Sequence, residues 1–193
     1  MATVRTGGST VSPPDAVAHG PASVGRRLRY LVIYYSWSGR TAAVAEAVAE
    51  VLEADIEAIR EAKPRHGLTG YLGAAVEASR RRSAPILPPS HRPEDYDVVI
   101  LGTPVWAGAM SSPIRSLINR QRSRLPKIAL FCTLGGSGAE TTLEAMAHLC
   151  NRSPLARLSV TQAAMRREGW QGAVEDFARQ IRAKADPKPE PAG

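Results

Sequence analysis

Tyr30-Leu31-Val32-Ile33-Tyr34-Tyr35-Ser36-Trp37-Ser38-Gly39-Arg40-Thr41 joins two different patterns at one turn. The first half is an uninterrupted, β-rich apolar run, as expected of a strand buried on both faces. Beyond Thr41, the residues Ala42, Val44, Ala45, Val48, Ala49 and Leu52 recur at helical spacing, with Glu46, Glu50 and Glu53 turned elsewhere. Between them, Ser36, Ser38, Thr41 and Gly39 occupy a strand-to-helix turn. Backbone N–H groups and the positive end of the helix dipole converge there. Hydroxyl donors, and a glycine that lets the backbone come close, suit a phosphate monoester. Ser and Thr are also common at ordinary helix starts, but a single cap needs fewer hydroxyls.

With 193 residues the chain is long enough for one α/β domain with a well-buried core. No apolar run approaches the ~18 residues of a membrane helix. Residues 1–27 are rich in Gly, Ser, Thr, Pro and Ala and lack a hydrophobic segment, so a disordered extension is expected rather than a secretory leader. Arg26-Arg27 superficially resembles a twin-arginine signal, yet the run behind it leads straight into the turn and reads as a strand. The expected domain spans 28–185, followed by a Pro-rich, disordered tail at 186–193. Cys132 and Cys150 offer neither a disulfide framework nor metal spacing, so a reducing cytoplasm is the expected setting.

The net charge is +7 with a pI near 9.9. The N-terminal 29 residues account for +3 of it and residues 30–182 for +4, so the folded part is only mildly basic. Arg80-Arg81-Arg82 and the group Arg120, Arg122 and Arg124 suit solvated helix ends. No aromatic platform or nucleic-acid module accompanies them, and no nucleic-acid partner is expected.

Further strands are expected at Ala54–Ile59, Asp97–Gly102, Lys127–Thr133 and Ala156–Val160. Helices are expected at Tyr71–Arg82, Ser112–Arg122, Ala139–Cys150 and Val174–Lys184. Strands alternating with helices predict a parallel sheet with right-handed crossovers, three layers deep. In the doubly wound five-stranded order 2-1-3-4-5, the switch point lies between strands 1 and 3, and the turns after strands 1, 3 and 4 can meet there. Those are the three unusual loops of this chain. The second, Thr103-Pro104-Val105-Trp106-Ala107-Gly108, carries an aromatic face able to stack on a planar ligand. The third, Leu134-Gly135-Gly136-Ser137-Gly138, lets backbone approach a ring edge. A phosphate at one end and a flat heteroaromatic at the other describe a mononucleotide.

The segments YYSWSGRT, DYDVVILGTPVWAG and LFCTLGGSG resemble those of the flavodoxin-like FMN-binding family, in the right order over roughly residues 29–183. The resemblance implies FMN as cofactor. It assigns Ser36, Trp37, Ser38, Gly39, Arg40 and Thr41 to the phosphate. Thr103, Pro104, Val105, Trp106, Ala107 and Gly108 would pack one side of the ring, and Thr133, Leu134, Gly135, Gly136, Ser137 and Gly138 would line the other side or edge. Electron-carrier flavodoxins sandwich the ring with a second aromatic from the strand-4 loop and are usually acidic. This chain has no such aromatic and is basic, which leaves room for a nicotinamide donor or a quinone. The implied function is electron transfer by bound FMN, with a redox protein as partner. The alternative is an NAD(P)H-dependent reductase of quinones or related acceptors, and a flavin-free interaction module is the third reading.

Other chemistries fit poorly. Cys132 cannot head a phosphatase loop, because Gly138 stands where the arginine should be. The first loop lacks the Gly-Lys-Ser/Thr ending of a nucleotide P-loop. His66, His91 and His148 have no mutual ligand spacing and His19 lies in the extension, so no metal is expected. The flavin would carry the chemistry, so no catalytic side chain is named.

Overall fold

The computed structural model of the chain describes residues 26–62, 83–167 and 169–186. The helix expected at Tyr71–Arg82, nearly all of the N-terminal extension and residues 187–193 of the tail lie outside them. Strand β1 (Tyr30–Tyr34) leads into α1 (Arg40–Leu52) and then β2 (Asp55–Ala58). After a 3-10 turn at Pro93–Asp95 come β3 (Val98–Trp106), β4 (Ala109–Met110) and α2 (Ser112–Gln121). The chain continues through β5 (Lys127–Leu134), α3 (Ala139–Cys150), β6 (Arg157–Thr161), the short α4 (Gln162–Met165) and α5 (Trp170–Ala185).

Five strands form a parallel sheet in the order β2-β1-β3-β5-β6. With the two-residue β4 set aside, this is the expected 2-1-3-4-5. Side chains alternate across it, as strand geometry requires. Leu31, Ile33, Val99, Leu101, Ile128 and Leu130 face Ile114, Leu117, Ile118, Leu143 and Met146 of α2 and α3. Val32, Val98, Ile100, Ala129 and Phe131 face Val44, Val48 and Leu52 of α1 and Phe177 and Ile181 of α5. The result is a helix–sheet–helix sandwich with two apolar cores.

Most boundaries shift by a residue or so, and two differ by more. The last helix begins at Trp170 rather than Val174, because Gly169, at a φ of 116°, turns the chain into it one turn earlier. The stretch Thr103–Trp106, expected as loop, is strand. β3 runs on through Trp106 and folds back as a hairpin, pairing Val105 with Met110 and Trp106 with Ala109. Ala107 and Gly108 form its two-residue turn, both left-handed at φ 47° and 73°. Positive φ at both central positions is the hairpin turn that matches strand twist. Pro104 fits within β3 although it has no N–H to donate to the ladder.

Cys132 and Cys150 are free and buried, and burial pushes both thiols up to about 12. Tyr96 is likewise raised to about 12, first by burial and then by its hydrogen bond to the Asp55 carboxylate at 2.7 Å. In all three the neutral, protonated form is the one the fold prefers. Their contribution to stability is therefore complete below the unfolded thiol range, near 9, and is lost as pH climbs toward 12. The urea midpoint is expected to fall steadily over that window, and a midpoint that stays level would contradict the assignment.

Candidate functional site

The carboxyl ends of β1, β3 and β5 bring the three loops together at the switch point. In the first loop, Gly39 adopts a φ of 83° and caps α1 without a side chain, so the N-cap itself offers no acceptor to the opening N–H groups of that helix. Space around Gly39 is open, with nothing within 4 Å of where a Cβ would stand. Ser36 Oγ is buried and has no hydrogen-bond partner among the described residues. A hydroxyl sequestered this way costs stability unless a ligand answers it. Thr41 is turned inward instead, with Oγ1 at 2.8 Å from Thr133 Oγ1, and this buried bond ties the first loop to the third.

In the second loop, Thr103 is fully buried. Its hydroxyl donates toward Ser111 Oγ and the Pro104 carbonyl and accepts from Ser111 N–H, each at 3.0 Å. It secures the hairpin rather than facing the cleft. Trp106 is only 5% exposed. Its ring meets Tyr35 edge-on at 5.7 Å and Trp37 edge-on at 6.4 Å. The three aromatics form a wall, with Trp37 the half-buried member. The third loop exposes Gly135, Gly136 and Ser137. Gly138, at φ 95°, caps α3, and a Cβ on it would stand 3.1 Å from Gly108 Cα. Gly108 and Gly138 thus serve a close loop-to-loop contact, which Thr142 Oγ1 supports by donating to the Gly108 carbonyl at 3.4 Å.

Between the loops lies a cleft of about 160 Å³. Ser38, Arg40, Thr41, Thr133 and Gln162 make one end polar, and Trp37, Pro104, Val105, Trp106 and Leu134 make the other apolar, with Gly135 beside them. Ten of the residues expected at the site therefore line one cleft. Ser36, Gly39, Thr103, Ala107, Gly108, Gly136, Ser137 and Gly138 are not in its lining. Gln162 is a lining residue that the sequence pattern did not single out. It opens α4, which Thr161 caps by accepting from Ala164 N–H at 3.1 Å. Typical ligand pockets start at roughly 300 Å³, so a mononucleotide here would stand partly in solvent. Among the described residues there is no cluster of potential metal ligands, and no helix is long and apolar enough to cross a membrane.

Sheet order and cleft position together define a doubly wound α/β protein with a cleft at its switch point. The chain belongs to the flavodoxin family, whose model matches residues 29–168. FMN is the family's cofactor and is bound in a solved flavoprotein from Lactobacillus acidophilus NCFM. That structure shares 20% identity with this chain at a TM-score of 0.60, over 68% of this chain and 93% of its own. Oxidised flavodoxin 2 from Bacillus cereus aligns at a TM-score of 0.55 with 15% identity, over 81% and 99% respectively. At such identities the two structures establish a shared fold. A relative from Gluconacetobacter diazotrophicus named NAD(P)H dehydrogenase (quinone) is 33% identical over 129 residues, 60% of this chain. The chain spans 62% of that relative's length.

Proposed function

We propose that this chain holds FMN in the cleft and acts as an NAD(P)H-dependent reductase of a quinone or related small acceptor. The carrying observation is the asymmetry of the cleft. Trp37 and Trp106 are the aromatics of its lining, and the segment Leu134-Gly135-Gly136-Ser137 that ends β5 and follows it adds none. A ring seated there keeps a face that a second planar molecule can reach. The basic balance of the chain points the same way, since it lacks the acidic surface that steers a carrier to basic partner proteins. The name of the Gluconacetobacter relative adds support, and two buried free thiols suit a cytoplasmic setting.

The residues present fit the cofactor. Ser36 Oγ supplies an unanswered donor at the floor of the first loop, and the α1 N-terminus adds N–H groups and dipole. Thr41 and Thr133 hold the two loops in register, and Trp37 with Val105 gives the ring an apolar seat. Bound FMN would supply the electron-accepting ring; the protein binds it, orients it and tunes its surroundings.

Oxidation of NADPH or NADH with a quinone acceptor by the flavin-loaded chain tests the reductase directly. No turnover with either nucleotide would leave an electron carrier, and a colourless chain that takes up no FMN would leave an interaction module. Ser36→Ala is expected to weaken FMN about tenfold, the scale of one hydrogen bond to a charged group, and to spare riboflavin. Equal losses for the two flavins would place the phosphate elsewhere.

A further inference from the structure

The cleft has a fourth wall, and it carries positive charge beyond Arg40 of the first loop. Gln162 begins α4 immediately after β6, and with its amide turned so that the oxygen faces the two guanidinium groups, that oxygen accepts from Arg40 at 3.1 Å and from Arg166 at 2.9 Å. Arg40 Nη1 also donates to Ser38 Oγ at 3.4 Å. A neutral amide is thus shared by two cations. Among the described residues, neither arginine forms an ion pair. Two guanidinium groups held this close repel one another, and an anion lying across both relieves that repulsion while accepting forked hydrogen bonds.

Depth separates this position from the floor of the first loop. Ser36 Oγ, Thr41 and Thr133 are buried, whereas Arg40 and Arg166 are exposed. The floor suits a phosphate that stays, and the rim suits one that arrives and leaves. We propose that Arg40, Gln162 and Arg166 form a second phosphate subsite, which takes a phosphate of the nicotinamide dinucleotide donor. The proposal rests on the reductase reading. A dinucleotide offers two sources, its pyrophosphate and, in NADPH, a 2′-phosphomonoester. A monoester carries about −1.5 to −2 charge at neutral pH and matches both cations, so NADPH is the favoured donor.

Calorimetric titration of the purified full chain with adenosine 2′,5′-bisphosphate and with 5′-ADP tests the subsite without turnover. The wild type is expected to bind the bisphosphate more tightly, and Arg166→Gln to weaken it about tenfold. Gln162→Glu, which sets a carboxylate between the two cations, should weaken it at least as much. FMN and riboflavin affinities should be unchanged in Arg166→Gln, whose side chain is not in the cleft lining. Equal losses for the bisphosphate and 5′-ADP would still support the subsite and assign it the pyrophosphate. The proposal is overturned if the wild type binds neither nucleotide or if the variants bind both as the wild type does. It is also overturned if Arg166→Gln weakens FMN relative to riboflavin, because the clamp would then serve the cofactor. A wild type that binds the bisphosphate through Arg166 yet oxidises neither NADPH nor NADH keeps the subsite and loses the reductase. One that turns over, with nucleotide binding unchanged in the variants, loses the subsite alone.

Discussion

Gly102→Ala is expected to remove about 3 kcal/mol of folding stability, the upper end of what overpacking a core costs. Gly102 pairs across the ladder with Phe131, whose ring lies over it. A Cβ at position 102 would stand 2.0, 2.4 and 2.7 Å from three atoms of that ring. Phe131 is fully buried on the α1–α5 side of the sheet and has no empty space to turn into. The backbone would have to shift, and Tyr35 N–H, which donates to the Gly102 carbonyl at 3.2 Å, would carry the shift to the first loop. Small domains hold only ~5–15 kcal/mol, so the loss is a large share of the total. Urea denaturation measures it. Combining Gly102→Ala with Phe131→Ala should cost at least about 1 kcal/mol less than the sum of the two single changes, because the clash disappears with the ring. Strict additivity would show that the close approach is not what excludes a side chain at 102.

Trp106→Ala is expected to cost about 3 kcal/mol or more of stability, as truncation of a buried aromatic does. At 5% exposure, and edge-on to both Tyr35 and Trp37, this indole fills a core position beneath the cleft. Any loss of flavin affinity in the variant would follow from a collapsed wall as readily as from lost stacking. Trp37→Ala separates the two, because Trp37 is half-buried, lines the cleft and contributes less to the core. If Trp106→Ala keeps its urea midpoint while losing FMN, Trp106 stacks on the ring and the packing role assigned here is wrong.

The layering was legible because apolar runs at 30–35, 97–101 and 127–132 are long, β-rich and bounded by turn residues, and the helices between them keep a 3.6 period. The three loops of the cleft were legible for the same reason, since each directly follows such a run. The hairpin was not. Gly102 was expected to end the strand and Pro104 to lie in the loop beyond it, yet one makes room for Phe131 within the strand and the other sits in the ladder opposite Thr133. Trp106 shows a different limit, as an indole after a strand has the same letter whether it packs downward or stacks upward. Gln162 was invisible because a glutamine at a helix start has no signature of its own. Its place in the cleft comes from β6 lying beside β5, a property of the whole sheet.

The hydroxyl bond between Thr41 and Thr133 joins residues 92 positions apart in the chain. Closing a loop of that length costs chain entropy, which the strand pairings around it offset. β1, β3 and β5 must all be side by side before the two threonines can meet. The polar end of the cleft therefore depends on long-range sheet pairing rather than on any one segment of the chain. A ligand that needs it acts on the finished fold, holding it closed against unfolding, and has little to grip in a chain that is still collapsing.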